Sequence, residues 1–238
     1  MKFTLPSGRP VEIQETTGRA EKVLTSKPDL QSGKWFNKFI AAALVSLDDK
    51  PVPENEGELI NLILDMKCGD RNYLAVQIRL LNYGPELIFN HECPKCKKTS
   101  GYKIDLQEML DNGTLQVHPY RKDVPITLET RAGTAEIDYT TVRVEQWLTE
   151  QKEVDFTKIV MASCKSFNGK PPEYKEFDSM FSRDRMMIRL AGSELNAKGG
   201  LNASIELDCP DCGNSYSVIL FQIPDFFIPL TTAESIGL

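Results

Sequence analysis

The sequence predicts an α+β protein made of two similar halves. Three blocks of residues recur in the same order, between 116 and 124 positions apart. Each half contains short alternating segments typical of β-hairpins and apolar residues at helical spacing. Each half also contains one Cys-Pro-x-Cys sequence. We therefore expect residues 1–120 and 121–238 to be two copies of one ancestral unit.

The recurring blocks carry the prediction of a duplication. Residues 17–25 match residues 141–149 at five of nine positions, and residues 36–51 match residues 156–171 at six positions that include both end residues. The third match joins the two Cys-Pro-x-Cys sequences. Because the offset falls steadily from 124 to 116, small differences in loop length account for it. Internal repeats of this kind decide the architecture of a chain.

Each half is predicted to open with a β-hairpin and to end with another. The opening hairpins span Phe3–Ile13 and Ile126–Tyr139, and two strands flank each Cys-Pro-x-Cys turn.

Helices are expected between the hairpins of each half. In the first half, apolar residues at helical spacing predict helices over Trp35–Leu47, Leu59–Met66 and Tyr73–Leu81. In the second half, a long helical segment is expected over Met180–Leu195.

Composition restricts the class of protein. Hydrophobic residues make up 41% of the chain and charged residues 26%, and 28 basic against 34 acidic residues give a net charge of −6. This balance argues against a protein whose whole surface binds nucleic acid, because such binding needs clustered Lys and Arg. The longest apolar segment, Phe39–Leu47, is about half of the ~20 residues that a membrane helix needs. The N-terminus reaches Pro6 before any apolar segment, so we expect no secretory signal and no membrane association.

The two Cys-Pro-x-Cys sequences supply the candidate metal ligands. The first contains Cys93 and Cys96, and the second contains Cys209 and Cys212. A Cys-x-x-Cys turn places two thiolates on one side of a tight loop, and four thiolates suit a tetrahedral Zn²⁺ ion. Although 112 residues separate Cys96 from Cys209, a pseudo-twofold axis between two copies would bring both turns to one ion. We therefore expect one structural zinc-ribbon-like site shared by the halves, with no open position for a substrate.

Other roles for these cysteines stay open. A lone Cys-x-x-Cys can be a redox pair, although thioredoxin-like pairs lie where a strand meets a helix, and both pairs here lie between predicted strands. Iron–sulfur clusters also use four cysteines, and the thiols could be unliganded. The strand–turn–strand setting favours zinc over these alternatives.

The remaining candidates for metal ligands have simpler interpretations. His91 corresponds to Leu207 in the second half, so a symmetric site would not use it. Cys164 corresponds to Leu44, which predicts a buried apolar role, and Cys68 is interpreted as a free thiol. The sequence has no nucleophile elbow, phosphate-binding loop or dinucleotide-binding motif. We therefore expect no catalytic residue and no small-molecule substrate.

The C-terminal segment is dense in aromatic and apolar residues. Phe226, Phe227, Ile228 and Leu230 lie among prolines. Such a segment either packs in the core of its own half or forms an exposed docking surface, since aromatic residues anchor protein interfaces. These four residues are the candidate partner-binding residues.

The order of the motifs resembles that of a known family. The sequence is similar to the T-even-type baseplate proteins of tailed bacteriophages, which include baseplate hub components and tail assembly factors. The likeness covers nearly the whole chain, and besides the two cysteine motifs and the aromatic tail it is carried by Leu5–Gly8, Val11–Ile13, Thr17–Gly18, Gly69–Arg71 and Ile78–Arg79.

This resemblance implies a non-enzymatic role. The chain would be a baseplate hub component or an assembly factor that binds other baseplate and tail hub proteins. Its location would be the virion, or the host bacterial cytoplasm during assembly. The zinc site is inferred from the cysteines of this chain and not from the family.

The alternative is a zinc-ribbon module that binds nucleic acid. Lys95, Lys97 and Lys98 give the first cysteine turn a basic edge. However, Asp208 and Asp211 flank the second turn, and the net charge of −6 opposes a nucleic-acid partner.

Overall fold

A four-stranded antiparallel sheet begins the fold in the computed structural model, which describes residues 1–18, 22–27, 29, 33–223 and 226–227. Its strands lie in chain order, and Gly8, at a φ of 85°, turns the first strand into the second. A residue without Cβ adopts this angle without steric cost. The opening hairpin is therefore confirmed. The strands are β1 (Lys2–Thr4), β2 (Pro10–Ile13), β3 (Leu44–Leu47) and β4 (Lys50–Pro51).

The helices of the first half share one apolar core with this sheet. They are α1 (Trp35–Ala43), α2 (Glu56–Leu64) and α3 (Cys68–Tyr83), after a short 3-10 helix over Lys22–Thr25.

The largest differences from the predicted helix boundaries lie at the end of α1 and at the start of α3. The chain leaves α1 at Leu44 because β2 offers a pairing partner, with Ile13 opposite Leu44. The third helix begins at Cys68, five residues before the predicted Tyr73.

Each predicted pair of strands around a cysteine turn is present. The first hairpin joins β5 (Glu86–Glu92) to β6 (Thr99–Asp105), and a short helix α4 (Leu106–Asp111) follows. The Asp105 side chain caps α4 by accepting a hydrogen bond from the backbone N–H of Glu108 at 2.8 Å. We call β5–β6 the first knuckle hairpin.

The second half begins with a smaller antiparallel sheet. A three-stranded antiparallel sheet contains β8 (Ile126–Glu129), β9 (Thr134–Ile137) and β10 (Ser166–Phe167), and the β8–β9 pair confirms the predicted hairpin. None of the described helices is long and apolar enough to cross a membrane. The helices of this half are α5 (Val142–Thr149), α6 (Phe156–Ala162), α7 (Tyr174–Ser179) and α8 (Ser182–Ala197).

The last strands of the chain return to the first half. After α8, β11 (Gly200–Leu201) pairs with β7 (Val117–His118), the strand that ends the first half. The chain then forms the second knuckle hairpin from β12 (Ser204–Asp208) and β13 (Ser215–Ile219), and a 3-10 turn over Leu220–Gln222 follows.

The described residues form two apolar cores. The division between these cores does not coincide with the division of the sequence at residue 120. Ala135, Phe177 and Leu195 belong to the second core, whose fully buried residues all come from the second half. Leu207 and Leu220 are buried in the first core together with the first sheet. The predicted unit 121–238 is therefore divided between both cores.

The described aromatic residues of the C-terminal segment lie inside the first core. Phe226 is 0% exposed and Phe227 is 4% exposed. The Phe227 ring centroid lies 5.1 Å from that of Phe39 and 5.6 Å from that of Trp35. Neither phenylalanine is therefore an exposed docking surface, and Phe227 packs on rings of the first half as well as on Phe221.

The other two candidates in that segment, Ile228 and Leu230, lie outside the described residues.

The two halves meet where α2 passes into α3. The backbone N–H of Val142 donates to the Met66 carbonyl at 2.9 Å, and Arg143 pairs with Asp65 at 2.7 Å. These contacts join the end of α2 to the start of α5. Since both backbone and ionic contacts cross this junction, the halves are held in one relative orientation here as well as at the knuckle hairpins.

A very close backbone approach lies beside this junction. A Cβ atom placed on Gly69 would lie 2.6 Å from the Gly199 carbonyl oxygen, 2.6 Å from the Gly200 Cα and 2.8 Å from the Tyr120 hydroxyl. Glycine at position 69 therefore permits β11 to cross the first turn of α3.

Gly69→Ala tests this close approach. We expect the methyl group to separate β11 from α3 at a cost of about 1–3 kcal/mol, which lowers the Tm by several degrees in a thermal melt followed by circular dichroism. Gly101→Ala is the control, because its Cβ would meet only the Asn90 side chain at 3.5 Å. Equal melting of both variants would contradict the assignment.

Phe226→Ala tests the placement of the C-terminal ring in the first core. Removing a fully buried phenylalanine is expected to cost about 3–5 kcal/mol and to lower the Tm strongly. Phe181→Ala, at a site that is 63% exposed, is expected to change the Tm little. A Phe226→Ala protein as stable as the parent would place the ring outside the core.

Candidate metal centre

The two knuckle turns have the same backbone geometry. The N–H of Lys97 donates to the Cys93 carbonyl, and the N–H of Gly213 donates to the Cys209 carbonyl, each at 2.9 Å. Lys97 has a φ of 62° and Gly213 a φ of 65°, so each turn closes through one left-handed residue. Only the second turn uses glycine, which adopts this angle without strain.

The four predicted cysteines form one cluster. The Sγ of Cys93 lies 3.8 Å from that of Cys212, and the Sγ of Cys96 lies 3.7 Å from that of Cys209. All four sulfurs lie within 4.8 Å of one another. A tetrahedron with metal–sulfur bonds of about 2.3 Å has edges of about 3.8 Å. The cluster can therefore hold one metal ion, as the sequence predicts.

The cluster has the proportions of a site for a single ion. Both close contacts join one hairpin to the other, and their distances are far above the ~2.05 Å of a disulfide bond. In a four-iron cluster each thiolate binds a different iron, so the four sulfurs stand further apart than the edges of a single tetrahedron. The observed spacing therefore favours a mononuclear site.

The sulfurs differ in burial and in acidity. Cys93 and Cys209 are buried, Cys96 is half-buried and Cys212 is exposed. The backbone N–H of Cys96 points at the Cys93 sulfur and lowers the pKa of that thiol to about 7. At Cys212 the N–H of Asn214 lowers the pKa, but desolvation and the crowded sulfurs outweigh it and raise the pKa to about 12.

These differences mean that the four thiols do not all ionise at neutral pH by themselves. A bound cation removes the proton from a coordinating thiol outright. Four thiolates and a bound metal ion would therefore stabilise each other in this cluster.

Polar contacts around the sulfurs join the two hairpins. The hydroxyls of Tyr102 and Tyr216 lie 3.0 Å apart. Asp211 accepts a hydrogen bond from Lys98 at 2.9 Å and another from Ser100 at 3.0 Å. In the sequence, Lys98 and Asp211 were noted only as charges beside the turns, and Ser100 and the two tyrosines were not noted. The sequence does contain one indication of the tyrosine contact, because a tyrosine occurs in each strand that follows a cysteine turn.

The lysines of the first knuckle hairpin have acidic partners. Lys98 pairs with Asp211 across the hairpins, and Lys97 lies 3.8 Å from Glu92. Each pair brings a carboxylate close to the basic edge noted in the sequence. The positive charge of this edge is therefore partly neutralised.

The other sequence candidates lie away from the cluster. His91 lies in β5 with its ring centroid 5.5 Å from that of Tyr216, and it is not one of the clustered ligands. Cys164 is buried and its thiol donates to the Ser166 carbonyl at 3.0 Å, which confirms a core position. Cys68 is a free cysteine with its sulfur 3.6 Å from a Glu145 carboxylate oxygen.

Comparison with known proteins gives no relative for this fold. No protein-family model matches the chain, and no curated protein or solved structure is significantly similar to it. The chemistry of the cluster therefore rests on its own residues.

Cys209→Ser tests the cluster as a metal site. Loss of one of four thiolates is expected to release most of the metal and to lower the Tm, because metal binding and folding are coupled. Metal content is measured by elemental analysis of the purified protein. Cys164→Ser is the matched control, since it changes a buried cysteine outside the cluster and is expected to retain the metal. Full metal occupancy in Cys209→Ser would contradict a four-ligand site.

Proposed function

We propose that the two halves arose by duplication and that one Zn²⁺ ion joins their knuckle hairpins. The elements of both halves follow the same order, from an opening hairpin through helices to a knuckle hairpin. The last helices before the knuckle hairpins, α3 and α8, each contain 16 residues. Asp48 and Asn168, which are aligned in the second recurring block, both have a left-handed backbone, with φ of 55° and 50°.

A repeated long-range hydrogen bond supports the duplication. The backbone N–H of Thr16 donates to the Asn82 side-chain oxygen at 2.8 Å, and that of Thr140 donates to the Asn196 side-chain oxygen at 2.8 Å. Each asparagine also donates to the backbone carbonyl four residues earlier in its own helix. A half-buried amide that joins the equivalent loop to the equivalent helix in each half is a detail that common ancestry explains.

The donor set and its spacing support zinc as the metal. Thiolates select soft or borderline ions, and a closed set of four favours Zn²⁺ in a structural role. Such a site has no coordination position left for water or a substrate. Apparent zinc-binding free energies of about 10–16 kcal/mol at pH 7 in small peptides equal the whole stability of an ordinary domain. One ion would thus fix the hairpins of both halves together.

We infer from these features a non-enzymatic scaffold, and from the sequence motifs its setting in a phage tail. The protein would be a baseplate hub component or a baseplate and tail assembly factor that binds other tail proteins. The observation that carries the scaffold role is the four-sulfur cluster, since it joins two halves and leaves no room for catalysis at the metal. The phage setting rests on the motif order described in the sequence.

A zinc-ribbon module that binds nucleic acid is the competing function. The carboxylates beside Lys97 and Lys98 weigh against it, because phosphate binding needs cationic side chains that are not already neutralised. The net charge of −6 also opposes it.

Deletion of the gene from the phage genome that carries it tests the scaffold role. We expect lysates that contain heads but few complete baseplates, as seen by negative-stain electron microscopy. A plasmid copy of the parent or of Cys164→Ser is expected to restore infective particles, whereas a copy with Cys93→Ser and Cys209→Ser is not. Normal particle yield from the deletion strain would overturn the proposal.

A further inference from the structure

A cleft in the second half lies between α5 and the end of α6. Its volume is about 570 Å³, within the range of about 300–1,000 Å³ that is typical of small-molecule pockets. One wall contains α5 and the loop before it, and the other contains the last residues of α6 and the segment that follows. We call it the Trp147 cleft. Its apolar lining includes Tyr139, Val144, Trp147, Met161, Ala162 and Pro172.

The first half has a smaller cleft, of about 370 Å³, at the corresponding place. The recurring blocks of the sequence align residues of this cleft with residues of the Trp147 cleft. The aligned pairs include Thr17 with Thr141, Val23 with Trp147, Ala41 with Met161 and Ala42 with Ala162. The two clefts are therefore one feature of the repeated unit, a conclusion that rests on the duplication proposed above.

The two clefts differ in chemistry. Charged residues that include Glu15, Lys38 and Glu54 line the first cleft, and Leu59 of α2 borders it. At aligned positions of the second cleft, a tryptophan replaces a valine and a methionine replaces an alanine. The described residues of α7, which follows α6 as α2 follows α1, do not line the second cleft. The second half thus has a larger cleft with a more apolar surface.

Trp147 is half-buried but packs in neither apolar core. In the part of the chain that the structure describes, its indole N–H makes no hydrogen bond, and neither do the hydroxyls of Thr140 and Thr141, which also line the cleft. Ligand pockets combine a mostly apolar lining with a few polar groups that orient the ligand. The Trp147 cleft contains both, since a large aromatic ring lies beside three available hydrogen-bonding groups.

The charged residues that line the cleft are already paired. Lys165 lies 3.3 Å from Asp138, and Arg143 pairs with Asp65 at 2.7 Å. The charges of these two pairs sum to zero. Because transfer of a charge from water to an apolar site is costly without a partner, the cleft favours an uncharged ligand.

The apolar side chains of the cleft are recessed. They are buried or half-buried, whereas strongly exposed apolar side chains, such as Val154 and Leu190, lie elsewhere on the described surface. A protein partner needs about 800 Å² of accessible surface on each side. A recessed site with paired charges around it offers little of the exposed apolar area that such a partner covers, so its shape suits a small molecule.

We infer that the Trp147 cleft binds a small, uncharged and mostly apolar molecule with a hydrogen-bonding group. Trp147 and Met161 supply the apolar contact area, and the hydroxyls of Thr140 and Thr141 supply partners for the polar group. The cysteine cluster takes no part in this site, because none of its four cysteines lines the cleft.

Titration of the zinc-loaded protein with N-phenyl-1-naphthylamine tests the inference. This uncharged dye becomes more fluorescent in apolar surroundings. We expect saturable binding at one site per chain. The matched charged probe is 8-anilino-1-naphthalenesulfonate, which has the same rings and a sulfonate, and it is expected to bind about tenfold more weakly because its charge finds no partner in the cleft.

Two variants place the dye in the cleft. Val144→Trp fills the space, and Trp147→Ala removes the aromatic wall, so each is expected to weaken dye binding about tenfold or more. The controls are Val154→Trp and Leu190→Glu, at sites that are 50% and 52% exposed outside the cleft, and both are expected to bind the dye like the parent. Circular dichroism checks the fold of each variant. If Val144→Trp does not fold, Trp147→Ala decides the test, because Trp147 lies outside both cores.

Four results would contradict the inference. They are no saturable dye binding by the parent protein, parent-like binding by Trp147→Ala, equal or tighter binding of the sulfonate probe, and a parent dimer in sedimentation that Trp147→Ala dissociates. The last result would assign the cleft to a second copy of the chain. Zinc content is measured on each sample, because a zinc-loaded parent that does not bind the dye would refute the cleft site alone and leave the zinc-joined scaffold standing.

Discussion

The relative position of the two knuckle hairpins depends on four sulfur atoms that belong to distant parts of the chain. Cys93 meets Cys212 and Cys96 meets Cys209, and a lowered thiol pKa at Cys93 beside a raised one at Cys212 shows how unequal these groups are without a cation. A tetrahedral ion would make them equivalent ligands. The tyrosine pair and the Asp211 contacts also join the two hairpins beside these sulfurs, and metal–thiolate bonds would add to them.

The path of the chain after α8 explains why the two apolar cores contain different elements. The strands β11 to β13 and Phe226 leave the second core and complete the first. The first core therefore contains two knuckle hairpins and the second contains none. In the second half, Met186 and Leu190 of α8 remain exposed on the surface.

Local patterns in the sequence predicted the hairpins and the ligands, because both follow from short-range chemistry. Alternation marked the strands, and cysteine spacing marked Cys93 and Cys209. The start of α3 was missed because the apolar spacing used to predict it begins only at Tyr73. The Asp70 carboxylate before it is buried and accepts a hydrogen bond from the backbone N–H of Ser7 at 3.0 Å. The burial of Phe226 in the first core was missed for a similar reason, because nothing in its neighbouring residues encodes a contact with Phe39 and Trp35.

The return of the last strands to the first core also sets an order on the folding of the nascent chain. Domains that are continuous in sequence fold as they leave the ribosome, the N-terminal one first. Here the N-terminal sheet lacks Leu207, Leu220 and Phe226 until these later residues have left the ribosome. The segment between, which supplies the second core, is thus able to fold before the first core has all its residues.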